Sequence, residues 1–389
     1  MNESIYEIRE IKTRYIDNQT SKKLNKIINN LKLKNKFILI IIIFLLLFLL
    51  LLFYKYKKLN SEIRINCESY NQLNLSKEII KIYSNIYNAA KNEINKIPYN
   101  LPNYIPNNYN FIEKKGVGIC CIGKNENLYA KEYVEYYLKL GIKKIIIYDN
   151  NDINGEKFED ILEKYIKNNF VEIINIRGFQ SVQLPVYNLC YKTFSNQFDF
   201  ISFLDFDEFI TIQNNMNINE YIYDFKFHKC ETILLNWVMY GDNDLEKYDN
   251  RSMIERFIKP HNKYNRGKSI VRTGISNLII ISTIVIGVNT KYFCNSNGIR
   301  LFPNTYFDFQ APNNSEAFIK HFYTKTSEEF CFKIKRGDAH FHKEQSDYIN
   351  VRESRIKLFF GFNKITTEKI NIIEKCSGIN LNKYRYKIK

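Results

Sequence analysis

The sequence predicts an α/β protein built on a mixed central sheet, and two observations carry that prediction. From Gly116 onward, short apolar runs alternate with amphipathic helical segments, the texture of strands and helices wound into one sheet. The apolar runs also end in polar clusters on their carboxyl side, the edge at which open α/β sheets bind ligands. The sharpest cluster lies in the run from Phe200 to Ile210, long enough for a buried strand but broken by Asp205, Asp207 and Glu208.

Taken in order, the first unit is the run Gly116 to Glu126, followed by a helix from Tyr129 that Gly141 is placed to terminate. A second strand begins at Lys144 and ends in Asp149, Asn150, Asn151 and Asp152, a cluster that reads equally as a binding edge or a turn. A helix from about Glu156 to Asn168 and a strand from Phe170 to Ile176 continue the alternation. Gln183, Tyr187 and Cys190 fall on one face of the next helix. Core packing explains the last two, whereas Gln183 is the odd polar member.

In the strand expected at 200–210, residues i and i+2 share a face, so Asp205 and Asp207 project together while Phe206 turns into the core. Three carboxylates in four positions are costly to bury without partners, and with no cation beside them they repel one another. Paired oxygen ligands at a strand end suit a hard divalent cation, Mn²⁺ or Mg²⁺. The bland alternative is an amphipathic strand whose solvated end is acidic.

Composition sets the bounds. A chain of 389 residues that is 45% hydrophobic and 15% aromatic can bury a substantial core, which excludes a disordered chain. The formal charge of +16 is spread along the sequence and densest around one apolar segment, which favours a membrane surface over a nucleic-acid partner. That segment, Phe37 to Phe53, contains no polar residue and as a helix reaches roughly 26 Å, enough for a thin bilayer. Tyr54 to Lys58 follow where a signal-peptidase site would need small residues, so a single-pass signal anchor is expected. Residues 1–36 then form a polar tail, 37–54 the span, 55–112 a stem containing Pro98, Pro102 and Pro106, and 113–389 the globular part with a helical C-terminal region. The topology is type II, in the Golgi or endoplasmic reticulum of a eukaryote and otherwise in the cell membrane. The eight cysteines include no C-x-x-C pair, which argues against structural zinc, and Cys120 and Cys121 read as core.

Several motifs in fixed order carry a resemblance. They are Cys121 to Glu126, Glu132 to Gly141, Ile147 to Asn151, Gln183 with Tyr187 and Cys190, Phe203 to Phe209, Trp237 to Gly241, Lys268 to Arg272, His321 to Phe330, and Lys335 to Gly337. Together, over roughly 115–340, they resemble glycosyltransferase family 92 and its relatives among the family 2-like glycosyltransferases. The resemblance implies a GT-A (Rossmann-like) fold and a nucleotide-sugar donor, a UDP-sugar. It also implies an inverting transfer to a glycan, lipid or protein acceptor and a metal held by Asp205 and Asp207, with His321 as third ligand. Asn125, Glu126 and Asp149 would contact base and ribose, Gln183 the donor, and Lys268, Arg272 and Arg336 the diphosphate. The acceptor base falls to Asp242 or Asp244, in a segment where relatives show W-x-x-F-G-S-S-G and this chain has Tyr240 and acidic residues instead. Two other classes remain open on the residues. A metal-dependent nucleotidyl- or phosphotransferase would use the same carboxylates but also a Gly- or Lys-rich phosphate loop that the sequence does not show. A catalytically silent anchored glycan-binding protein would not need the intact acidic triplet.

Overall fold

The computed structural model describes residues 113–283, 287–288, 290–301, 311–312, 314–337 and 348–388, together with Lys22 and a few positions between 75 and 84. By contacts the chain divides into residues 1–76 and 77–389, and every element below belongs to the second unit. The expected tail, membrane span and most of the stem lie outside the described residues, among which no helix is long and apolar enough to cross a membrane.

The central strand is β1 (Val117–Gly123), buried along its whole length because it is covered on both faces. It runs parallel to β2 (Lys144–Asp149) on one side and to β4 (Phe200–Phe203) on the other, and β2 runs parallel to β3 (Val171–Asn175). The crossovers are helical: α1 (Asn127–Leu140), α2 (Glu159–Lys167) and α3 (Gln183–Phe194). Gly141 ends α1 in the left-handed conformation, φ 91°, as its position in the sequence predicts. At the end of β1 a Cβ on Gly123 would stand 2.5 Å from the Phe158 ring and 2.6 Å from the Phe206 ring, which stack on each other over that glycine.

The expected single strand at 200–210 is two strands. β4 stops at Phe203, residues 204–207 turn, and β5 (Glu208–Ile212) leaves in a new pairing. The turn is closed by the Glu208 amide donating to the Asp205 carbonyl at 3.1 Å and the Asp205 amide donating to Glu208 Oε2 at 2.9 Å. Phe206 does enter the core, but Asp205 and Asp207 are placed by this turn and not by the alternation of a strand.

The rest of the sheet is mixed. β6 (Thr232–Tyr240) and β7 (Pro260–Arg272) form a long antiparallel pair, and β7 also lies antiparallel to β4. On its other edge β6 receives two short parallel strands in series, β10 (Phe293–Asn295) and β12 (Ala317–His321), and β11 (Arg300–Leu301) flanks β10. A separate small ladder joins β8 (Ile279–Ile280) to β9 (Gly287–Val288). Because β12 lies between β6 and β5, His321 is registered against both Met239 and Glu208. A residue more than a hundred positions downstream thereby arrives beside the acidic turn.

Short helices α4 (Ile218–Ile222) and α5 (Met253–Arg256) pack on this sheet. They are followed after β12 by α6 (Ser327–Arg336), α7 (Tyr348–Phe362), α8 (Thr367–Ser377) and α9 (Asn382–Arg385). The last four share a second apolar cluster around Phe330, Ile334, Phe359, Ile370 and Ile373. Disulfides join Cys120 to Cys190, Cys230 to Cys294 and Cys331 to Cys376. Cys120 is thus a cross-link from β1 to α3 and not simply core, whereas Cys121 is a buried free thiol.

One buried ion pair fixes α6 on the sheet. Glu329 accepts from Arg256 Nη1 at 2.7 Å and Nη2 at 2.9 Å and from Tyr129 Oη at 2.8 Å, with both charged side chains 1% exposed. The same carboxylate closes the capping box with Thr326 at the start of the helix. Burial alone would raise the Glu329 carboxyl, but Arg256, Lys325 and the Tyr129 hydroxyl hold it below the usual range. Replacing Glu329 by Gln leaves the buried Arg256 without its close carboxylate, with Asp249 3.9 Å away as the nearest remaining one, so urea denaturation at pH 7 should show a loss of about 3 kcal/mol. Since the folded carboxyl is depressed, this contribution is present above an unfolded pKa of about 4.3 and fades as the pH falls below it. The gap between wild type and variant should therefore close in acid. Equal denaturation midpoints at pH 7 would show that the pair does not hold α6.

Candidate functional site

The carboxyl ends of β1 and β4, the acidic turn, the end of β12 and the helices after it enclose a cavity of about 280 Å³. Its lining is charged on both sides. Glu126, Asp205, Asp207 and Glu208 face Lys124, Lys268, Lys333, Arg336 and Arg355, with Gln183, Trp237, His321 and Tyr323 between them.

Asp205 accepts from Lys268 Nζ at 3.1 Å on one oxygen, and from Gln183 Nε2 at 3.2 Å and Tyr187 Oη at 3.3 Å on the other. Gln183, the polar oddity of its helix face, is therefore explained: it orients the first aspartate. Lys268 is buried and also lies 3.4 Å from Glu208. Burial would lower its pKa, but Asp205 and then Glu208 raise it well above the usual value. Glu208 is wholly buried, which outweighs the help of Lys268 and, with Asp205 and Asp207 nearby, pushes its carboxyl up to about 8. Its Oε1 has no hydrogen-bond partner.

Asp207 is treated differently. Burial works against its charge, yet Lys333, His321 and Lys325 hold the carboxyl far below the ordinary range. Lys333 Nζ donates to Asp207 Oδ2 at 2.7 Å, and His321 Nε2 lies 3.7 Å from Oδ1. His321 packs on the Trp237 ring at 4.8 Å, and burial lowers its pKa to about 4, so the imidazole is neutral at physiological pH. Its Nδ1 and the Trp237 Nε1 are buried without hydrogen-bond partners. On the far wall Glu126 Oε1 meets Arg336 Nη1 at 2.5 Å, and Arg336 also donates to the Lys124 and Asn125 carbonyls. Each aspartate of the acidic triplet thus has a lysine beside it, and the repulsion that remains falls on Glu208.

The structure brings together Glu126, Gln183, Asp205, Asp207, Trp237, Lys268, His321 and Arg336 from the sequence reading, and it places Asn125, Asp149, Asp242, Asp244 and Arg272 outside the cavity lining. Arg272 pairs in register with Phe200, at the opposite end of β4 from the acidic turn, and its guanidinium donates to the Cys230 and Phe227 carbonyls. It supports the core and does not reach the cavity. Asp242 is buried against Lys369 Nζ at 2.6 Å, and its other oxygen caps the Asp244 amide. Asp244 is exposed, pairs with Lys259 and has φ 65°, the backbone of a turn residue. Neither aspartate lines the cavity, which removes the geometric basis for either as acceptor base. Asp149 is buried beneath the guanidinium of Arg177, and Asn125 lies exposed next to the cavity lining, its amide donating to Asn151 Oδ1. Lys333 and Arg355 escaped the sequence reading, since one lysine in a Lys-rich chain carries no signal. The clue to Lys333 was its place one helical turn before Arg336, which puts both on one face.

Among the described residues no three His, Cys, Asp or Glu side chains stand close enough to hold a metal ion by themselves. The donors present still fit a divalent cation in kind. Asp207 with the neutral Nε2 of His321 beside it, and Asp205 two positions away, match a cation that takes its remaining ligands from phosphate and water.

The model of glycosyltransferase family 92 matches residues 115–328. A glycosyltransferase family 92 protein of Ricinus communis is 24% identical over 102 residues, which is 26% of this chain and 18% of that protein. Among solved structures, residues 1–349 of S. aureus TarS in complex with UDP-GlcNAc align with 13% identity over 70% of this chain and 76% of that one, at a TM-score of 0.35. The mannosyltransferase PcManGT from Pyrobaculum calidifontis, in complex with GDP-Man and Mn²⁺, aligns with 10% identity over 41% and 47% of the two chains, at a TM-score of 0.25. Both structural likenesses are too slight to carry an argument about this chain. The family match spans more than half of the sequence and includes the acidic turn and His321: the chain belongs to glycosyltransferase family 92.

Proposed function

We propose that the chain transfers a sugar, with inversion, from a nucleotide-sugar donor of the UDP class to a glycan, lipid or protein acceptor. The observation that carries the reading is the cavity itself, where an acidic turn at the sheet's carboxyl edge faces lysine and arginine side chains across about 280 Å³. Breaking the bond between sugar and diphosphate leaves charge on the departing phosphates, and preorganised cations in a water-poor site stabilise it strongly. Lys268, Lys333 and Arg336 are such cations, each fixed by a carboxylate. Asp207 and His321, with Asp205, would hold Mn²⁺ or Mg²⁺, which when bound supplies further neutralisation of the leaving diphosphate. Gln183 and Tyr187 keep Asp205 aimed into the cavity. Trp237 offers an apolar face on which a sugar ring can rest.

The proposal includes attachment to a membrane through residues 37–54, supported by their unbroken apolar character. Three disulfides in the globular part agree with placement on the oxidising side of that membrane.

Two outcomes test the site. Asp207→Asn should abolish Mn²⁺-dependent binding of UDP, measured by calorimetry, and lower the melting temperature at neutral pH, since a carboxyl held far below its ordinary range contributes stability there. Asp205→Asn should weaken binding as well and lower the melting temperature, because Lys268 stays buried with the high-pKa Glu208 as its remaining carboxylate. UDP binding that keeps its metal dependence in the double variant would refute the assignment.

His321→Ala should reduce metal activation most at low Mn²⁺, with partial recovery at high Mn²⁺, because imidazole tunes a site that carboxylate creates. If the histidine were merely packed against Trp237, the variant would melt earlier with and without metal alike, and added Mn²⁺ would restore nothing.

A further inference from the structure

The cations that line the cavity are not held alike. Arg336 is committed to Glu126 and to two backbone carbonyls. Lys268 is buried between Asp205 and Glu208. Lys333, 16% exposed, stands on a flexible stem, with its ammonium 2.7 Å from Asp207 Oδ2 and 3.2 Å from the Tyr323 carbonyl. The Tyr323 ring lies beneath it at 4.0 Å, a surface along which the ammonium can shift without losing all attraction.

Its position sets up a competition. Asp207 has the His321 imidazole 3.7 Å away, and the oxygen pair that would receive a divalent cation already has the chain's own ammonium against it. A divalent cation entering alone would meet a carboxylate whose charge is spent and a positive neighbour at close range. A nucleoside diphosphate changes the balance, since its oxygens offer Lys333 a stronger anionic partner within the same cavity.

We infer that Lys333 is an internal counter-ion that keeps Asp207 closed to metal until the donor arrives, and that the diphosphate draws the ammonium off the carboxylate and opens it. Metal and donor then bind together, each tightening the other by the same factor. This rests on the reading of the cavity as a nucleotide-sugar site, and it makes Lys333 a positioning residue that couples the two ligands.

The test titrates the full chain with Mn²⁺ alone, with UDP alone, and with each in the presence of the other. Wild type should bind Mn²⁺ alone weakly, and UDP should tighten that binding by roughly tenfold or more, within the usual range of coupling between sites. Lys333→Met should bind Mn²⁺ alone roughly tenfold more tightly than wild type, show a larger rise in melting temperature on adding Mn²⁺, and lose most of the coupling. Lys333→Gln provides a second charge-free variant should the first fold poorly. Lys333→Arg, which keeps the charge, should retain the wild-type weakness toward Mn²⁺ alone. If wild type binds UDP with Mn²⁺ but the charge-free variants take up Mn²⁺ alone no better than wild type, the counter-ion role is overturned while the donor site stands. If wild type binds no UDP with or without Mn²⁺, the reading of the cavity falls and the inference with it.

Discussion

A carboxylate taken out of water must have a cation beside it, and most of the functional architecture follows from that constraint. The carboxyl edge of the sheet gathers Glu126, Asp205, Asp207 and Glu208 around one cavity, three of them almost wholly buried. Left unpaired, such a group costs several kcal/mol, and in practice it takes up a proton instead. The chain meets the demand from two directions. β7 runs antiparallel to β4 and carries Lys268 up to Asp205, while α6 lays Lys333 and Arg336 over Asp207 and Glu126. Glu208, which shares Lys268 with Asp205, is the member left with a raised carboxyl, as expected of the least compensated charge.

The acidic edge alone is therefore an incomplete site, and the position of α6 decides whether it works. Three kinds of constraint fix that helix: the Arg256–Glu329 pair beneath it, the Thr326 capping box at its start, and the Cys331–Cys376 disulfide to α8. The ion pair and the disulfide hold the helix at Glu329 and Cys331, and the capping box ties its first turn to the same Glu329 carboxylate. Lys333 and Arg336 lie one turn apart along the cavity, while Phe330 and Ile334 are buried in the second apolar cluster. Stability and binding are coupled here, because the same helix closes a hydrophobic cluster and presents the cations.

The parallel part of the fold was legible because its signals are local. Apolar runs, the αL glycine Gly141 and the i, i+4, i+7 face of α3 depend on neighbours a few residues away. The break between β4 and β5 was not legible, because Phe200 to Ile210 has the composition of one strand. What divides it is the partner of β5, β12, which arrives from more than a hundred residues downstream. The same limit separated the site residues. Asp205, Asp207 and Gln183 stand out from their apolar surroundings, but Arg272 and Lys268, four residues apart on one strand, look alike in sequence. They diverge because the antiparallel register carries one to the acidic turn and the other to the far end of β4. Lys333 shows the converse, a residue whose meaning lies entirely in where α6 is docked.

The segment after β6 carries the same lesson into the departure from the family pattern. Acidic residues where relatives show small ones read, from sequence, as added chemistry. In the fold Asp242 is a docking point for the C-terminal helices, and Asp244 is an exposed turn residue. Asp242 takes Lys369 of α8 on one oxygen, and its amide donates to Asn363 Oδ1 at 2.6 Å, just beyond the end of α7. Gly241 lets that backbone approach, since a Cβ there would stand 2.8 Å from the Phe362 carbonyl oxygen. Lys369 is wholly buried and needs an anion, so Asp242 and Lys369 depend on each other, and neither is available for the cavity. The acid that looked like a catalytic base instead helps seat the helices behind α6, and through α6 it bears on how firmly Lys333 and Arg336 face the acidic turn.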